Sequence, residues 1–179
     1  MKERIVCAGF GGQGIMLLGK VIAQAALKEG RQLIWLPSYG AAMRGGTAFC
    51  MVVISDKEIA SPYVDLCDTL VVFNQPSWEK FKPRVRKGGL VLFNSTLIKD
   101  QNPPRGLKLR KIPFTEIASG LGNVRVANMV ALGSYLKEKN ILKRETIFKV
   151  FSEIVPQKKL HLVAVNQQAI DKGYQASHG

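Results

Sequence analysis

Histidine is nearly absent from this chain, with two in 179 residues. His161 falls in a predicted helix and His178 in the tail, neither with a carboxylate at ligand spacing, which leaves no histidine-based metal site and no third imidazole for acid–base work. Cysteine is scarce as well. Cys7, Cys50 and Cys67 are far apart and each lies in or beside an apolar segment. An odd count without C-x-x-C argues against a disulfide frame, a zinc site or an iron–sulfur cluster held by this chain alone, and the three read as buried structural thiols. No apolar run approaches the roughly 20 residues that a spanning helix needs. The N-terminus enters a strand and a glycine loop at once, without the cleavage site of a signal peptide. The expectation is a cytoplasmic protein without membrane contact.

Catalytic signatures are missing too. There is no G-x-S-x-G elbow, no H-E-x-x-H and no carboxylate pair at helical spacing on a glycine-loop face, so the chain reads as a binding or assembly component. Acidic residues are few, 13 against 26 Lys and Arg, for a net charge of +13. That excess calls for an anionic partner, or else for solvated basic faces at Lys80 to Lys87, Arg105 to Lys111, Lys143-Arg144 and Lys158-Lys159. Nucleic acid is the poorer partner, because the aromatic residues sit in apolar strands instead of among these basic clusters.

What the chain does have is glycine in one concentrated place. Gly9-Phe10-Gly11-Gly12-Gln13-Gly14 follows the apolar run Ile5 to Ala8 and precedes Ile15, Leu18, Val21, Ile22, Ala25 and Ala26 at helical spacing. The order is strand, glycine turn, helix, where free N–H groups and missing Cβ atoms admit an anion or a close neighbour. The spacing matches G-x-G-x-x-G, yet the second strand, Gln32 to Leu36, ends in Pro37-Ser38-Tyr39-Gly40 and offers no acid for a ribose. The turn is therefore a poor NAD fingerprint, although an independent nucleotide-binding module stays open as the alternative.

The remaining pattern places one α/β domain over residues 1–179, with 46% hydrophobic and 22% charged residues. The loop from Pro37 to Gly46 carries Tyr39, Met43 and Arg44, and Arg44 is unhindered beside Gly45 and Gly46. Arg44 is either a reader of carboxylate or phosphate or a surface turn arginine. Thr47 to Ser55 is a strong strand reached without a helix, so it is expected to pair antiparallel. Asp56-Lys57 reads as a turn and Glu58 to Ala60 as a short returning strand. Thr69 to Phe73 and Leu90 to Phe93 are buried strands that end in Asn74 and Asn94, with a helix from Trp78 to Val85 between them. Leu107 to Ile112 has the basic and apolar alternation of an edge strand. Thr115 suits the cap of a short helix, Gly133 in the helix Arg125 to Lys139 suggests close packing on the sheet, and helices over Arg144 to Ile154 and Lys159 to Lys172 follow. The fold class is α/β: a single-domain, three-layer, Rossmann-like fold with a mostly parallel, mixed central sheet.

If the first, second, fourth and fifth strands are parallel, their ends share one rim. Gly11, Gly12, Gln13, Gly14, Ser38, Tyr39, Gly40, Arg44, Gly45, Gly46, Asn74 and Asn94 are then the candidate ligand-binding set, with no catalytic or metal-binding residue among them. The plainer reading of either asparagine is a helix cap.

Three stretches together, Gly9 to Ile15, Pro37 to Ala48 and Asn128-Met129-Val130-Ala131-Leu132-Gly133, resemble the gamma subunit of the 2-oxoacid:ferredoxin oxidoreductases, and with Asn166 and Gly173 the resemblance covers nearly the whole chain. Met43 to Ala48 with Cys50 looks closer to 2-oxoglutarate enzymes than to pyruvate ones. Many relatives have Pro-Glu where this chain has Ala41-Ala42, so a carboxylate at the rim is absent. The resemblance implies a subunit inactive alone, packed against alpha and beta partners and a ferredoxin-like subunit or domain, and shaping the coenzyme A side of the active site. Thiamine diphosphate and iron–sulfur clusters are implied for the partner chains, and ferredoxin is implied as electron acceptor.

Overall fold

The computed structural model describes residues 1–38, 47–61, 64–99, 104–155 and 162–177. Strand β1 (Lys2–Phe10) leads through the glycine turn into helix α1 (Ile15–Lys28), followed by β2 (Gln32–Ser38), β3 (Thr47–Ser55) and β4 (Cys67–Val72). Helix α2 (Gln75–Phe81), β5 (Val85–Asn94) and β6 (Lys108–Ile112) come next, and then α3 (Phe114–Gly120), α4 (Ala127–Lys139), α5 (Arg144–Ile154) and α6 (Val163–Ala176).

The six strands form one sheet in the order β2-β3-β1-β4-β5-β6. β3 runs antiparallel to both its neighbours, β1 and β2, while β4, β5 and β6 continue parallel to β1. β3 takes the seat beside β1 because its residues are almost wholly apolar and buried. β2, with Gln32 and Pro37, is half-exposed and sits at the edge, where a proline costs no ladder bond. β2 still points the same way as β1, so the ends of β1, β2, β4 and β5 lie along one edge of the sheet, meeting the condition on which the shared rim depends.

Alternation within the strands separates two cores. Ile5, Cys7, Cys50, Val52, Ile54, Val71, Phe73 and Leu92 face a thick layer made by α1, α3, α4, α5 and α6. Val6, Ala8, Val53, Leu70, Val72, Val91 and Phe93 face the thinner side, where Trp78 and Phe81 of α2 cover them. All three cysteines are free and buried.

Several boundaries differ from the sequence reading. α2 starts at Gln75, three residues early, because the Asn74 side chain accepts a hydrogen bond from Ser77 N and Pro76 suits the first turn. It stops at Phe81 and passes into a 3₁₀ turn over Lys82–Arg84, and β5 begins at Val85, where the helix was expected to end. Glu58 to Ala60 form no strand. Thr115 lies inside α3, whose N-cap is Pro113. The last helix begins at Val163, and the expected start from Lys159 through His161 lies outside the described residues.

Gly133 packs closely, but against α6 instead of the sheet. A Cβ there would collide with the Ile170 carbonyl, and a Cβ on Gly173 would collide with the Val130 carbonyl. The two glycines let α4 and α6 cross with backbone against backbone.

Candidate functional site: the glycine-turn edge of the sheet

The glycine turn is fixed by side chains from three directions. Gly12 and Gly14 have φ of 90° and 73°, in the left-handed region that favours glycine. At Gly9 a Cβ would lie 2.6 Å from Gln13 Oε1 and 2.8 Å from Ile15 Cδ1. Gln13 folds back over this space: its Oε1 accepts from Phe10 N at 2.7 Å and from Asn74 Nδ2 at 3.1 Å. From the other side, Asn128 Nδ2 at the start of α4 donates to Gly14 O at 3.1 Å. Asn74 thus caps α2 with one end of its amide and holds the glycine turn with the other.

Asn94 has a different task from either of those anticipated. It is fully buried, and its Nδ2 donates to Phe73 O at 3.1 Å and to Thr115 Oγ1 at 2.9 Å. It ties the ends of β4 and β5 to α3 and presents no surface to a ligand. Ser38 closes β2 opposite Phe49, which in turn pairs with Ala8. With strands about 4.8 Å apart, Ser38 stands roughly 10 Å across the sheet from β1. The candidate residues Tyr39, Gly40, Arg44, Gly45 and Gly46 lie outside the described residues.

This topology also explains the poor dinucleotide fingerprint. The acid that reads a ribose belongs at the end of the parallel strand beside the glycine turn. Here the neighbour on that side is β3, running the opposite way.

Gly11 and Gly12 are exposed, and their N–H groups donate to no group among the described residues. α1 opens beside them at Gly14, without a capping side chain. Unpaired N–H groups at a helix start attract negative charge. Two depressions flank this point. One of about 190 Å³ lies on the turn, between Gly12, Gln13, Leu97, Thr115 and Val124. The other, about 620 Å³ and mostly apolar, lies beside it between Leu17, Asn128, Phe151, Ile154 and Asn166. Arg125 lines both. Its side chain is exposed, and no ion pair or side-chain hydrogen bond engages it among the described residues. In the sequence alone, Arg125 is only the first residue of a predicted helix. Its signal was the pattern Asn123-Val124-Arg125 just ahead of Asn128, since Asn123 Oδ1 accepts from Arg125 N and sets the turn that holds the arginine.

Around the turn the surface is apolar. Phe10, Leu17, Leu97 and Val124 are all more than one third exposed, at 38%, 37%, 44% and 56%. The cysteines do not fit an iron–sulfur cluster, because Cys7 and Cys50 lie on one face of the sheet and Cys67 on the other. Among the described residues no three His, Cys, Asp or Glu side chains gather at metal-binding distance. No described helix is long and apolar enough to cross a membrane.

Fold and site together define a Rossmann-like component with exposed glycine residues and an apolar collar along one edge of its sheet. The sequence pattern of the pyruvate ferredoxin/flavodoxin oxidoreductase family matches residues 4–176, and the chain belongs to that family. It is 37% identical over 99% of its length to the 2-oxoglutarate synthase subunit KorC of Methanocaldococcus jannaschii, of which it covers 95%. It is 47% identical over 73% of its length to the ketoisovalerate oxidoreductase subunit VorA of Methanothermobacter marburgensis, but spans only 27% of that longer chain. Among solved structures, the gamma subunit of a keto/oxoacid ferredoxin oxidoreductase from Geobacter sulfurreducens superposes with a TM-score of 0.83 at 28% identity, covering 98% of both chains. The 2-oxoglutarate:ferredoxin oxidoreductase of Magnetococcus marinus, solved with 2-oxoglutarate, coenzyme A and succinyl-CoA, gives 0.91 at 27% identity; the match covers 98% of this chain and 31% of that one.

Proposed function

We propose that this chain is the gamma subunit of a 2-oxoacid:ferredoxin oxidoreductase and that its sheet edge forms part of the coenzyme A side of the assembled active site. The observation that carries this reading is the conjunction at the edge: the exposed Gly11 and Gly12, and the Arg125 guanidinium, without a partner among the described residues, between two depressions. Phosphates suit such a place, and the apolar cavity beside it suits an uncharged chain. Ser38 to Gly46, with Arg44, complete the proposed rim by sequence. The apolar collar of Phe10, Leu17, Leu97 and Val124 is what a subunit contact would cover.

The chain has no acid–base set of its own in this reading, and its part in the reaction is to bind and orient. Thiamine diphosphate would sit on the alpha and beta partners and the iron–sulfur clusters on other polypeptides, with ferredoxin taking the electrons, in the cytoplasm. The similarity to KorC along the full length favours 2-oxoglutarate as substrate.

Co-expression with the neighbouring genes tests this reading. The chain should co-purify with thiamine-binding partners, and omitting it should abolish acyl-CoA formation. Partners that form a fully active oxidoreductase without it would refute the proposal. Calorimetry of the isolated chain with NAD, FAD, FMN and coenzyme A separates the alternative, since tight binding of a redox nucleotide without partners would make it an independent module.

A further inference from the structure

The rim leaves two buried thiols unused. Cys7 in β1 and Cys50 in β3 stand directly opposite each other in antiparallel register. Such pairs have Cα atoms about 4.5–5.5 Å apart, within the roughly 4.4–6.8 Å that disulfides span. Both side chains leave the sheet on the α1 side, and both are wholly buried. The Cys7 and Cys50 thiols interact, each shifting the pKa of the other. Cys50 also donates to the carbonyl of Ile15, the first residue of α1, at 3.5 Å. Cys67 lies across the sheet and offers neither of them a competing partner.

The two thiols are not equivalent. The hydrogen bond with Cys7 lowers the pKa of Cys50; burial opposes this, and the Trp35 indole N–H and the Gly19 backbone N–H add to the lowering. Trp35 Nε1 is buried without a hydrogen-bond partner among the described residues. A Cβ on Gly19 would lie 3.1 Å from that nitrogen and would collide with Cys50 Sγ, so the indole N–H and the sulfur crowd the same space. Cys7 is pushed well up, by the same hydrogen bond and then by burial, and Cys67 is pushed up to about 12, chiefly by burial. Cys50, which lies against Gly19 and the Trp35 indole nitrogen, is assigned the attacking role, with Cys7 opposite it to resolve the product.

We propose that Cys7 and Cys50 are a modification site, a dithiol that a two-electron oxidant of the peroxide class closes into a cross-strand disulfide. The Cys50 thiolate attacks one peroxide oxygen, the O–O bond breaks, and the other oxygen leaves as water once protonated, giving a sulfenic acid. The Cys7 sulfur then attacks the Cys50 sulfur; the S–S bond forms as the sulfenic oxygen leaves as a second water with the Cys7 proton. Two thiols and one hydrogen peroxide thus give one disulfide and two waters, the thiols being oxidised and the peroxide reduced.

Closure acts on the glycine turn from beneath. It removes the Cys50 S–H from Ile15 O and pins β1 two residues before Gly9. Because both sulfurs are sealed in the core, the oxidant enters by local opening.

The test uses the full chain, reduced under anaerobic conditions, treated with hydrogen peroxide, digested without reductant and mapped by mass spectrometry. The expected product is a Cys7–Cys50 linked peptide pair lighter by two hydrogens, formed with native circular dichroism retained, with Cys67 still free and both thiols restored by dithiothreitol. In Cys7→Ser, dimedone should trap Cys50 as its sulfenic adduct; in Cys50→Ser, Cys7 should take no label. Recovery of both cysteines as free thiols after Met1 has been oxidised would overturn the proposal. So would a link that forms only once the native spectrum is lost. The wild-type mapping decides even if neither variant folds.

Discussion

Position 14 requires glycine for two separate reasons. Its φ of 73° is left-handed, which costs a residue with a Cβ about 1–2 kcal/mol, and that Cβ would strike the Asn128 side chain that holds the Gly14 carbonyl. Gly14→Ala should therefore destabilise the chain by roughly 2–4 kcal/mol in urea denaturation. In an Asn128→Ala background the same change should cost less, because only the backbone part remains; equal costs in both backgrounds would show that the side chain is not the obstacle. Asp68 supports the sheet in another way. It is buried at the start of β4, where Arg4 holds it through backbone and side-chain hydrogen bonds and Arg86 through a further ion pair. Burial disfavours its charge, yet Arg4 and Arg86 outweigh burial and hold the carboxyl below its ordinary pKa. A carboxyl lowered in the folded state contributes stability above its unfolded pKa and loses it as pH falls through the folded value. Asp68→Asn should thus cost about 1–3 kcal/mol at neutral pH, and the gap to wild type should close on acidification below the ordinary carboxylate range. A gap independent of pH would place the effect in packing.

Among the elements, the crossing of α4 and α6 is the most demanding contact. Gly133→Ala or Gly173→Ala pushes a methyl into a backbone carbonyl that has no rotamer to give, so each should destabilise by more than about 3 kcal/mol, read as a fall in the urea midpoint. The sequence shows why Gly133 is noticed and why its partner is not. A glycine on an apolar helix face announces close approach, but only the assembled fold tells that the approaching surface is Gly173 of α6. β3 was legible for the same kind of reason: its length, its apolar content and the lack of a helix before it require antiparallel pairing. That it displaces β2 from the side of β1 follows from a competition for buried seats, which no single segment displays. Asn94 repeats the lesson. Its place at the end of a parallel strand was readable, whereas its amide is consumed by Phe73 and Thr115, residues distant in sequence.

At the scale of the molecule, the glycine turn and the common edge of the strand ends were legible because both depend on local spacing and strand direction. Arg125 was not, because its value lies in standing between two depressions built from separate elements. Net charge +13, an exposed apolar collar and donors along one edge that have no partner among the described residues suit the proposed meeting with an anion and a partner subunit. The most direct test is steady-state kinetics of the reconstituted complex carrying Arg125→Ala, with coenzyme A as the varied substrate. The complex should assemble intact, with a KM for coenzyme A raised about 10- to 100-fold by the loss of one charge-assisted contact. A complex that assembles with an unchanged KM for coenzyme A would show that Arg125 takes no part in binding it.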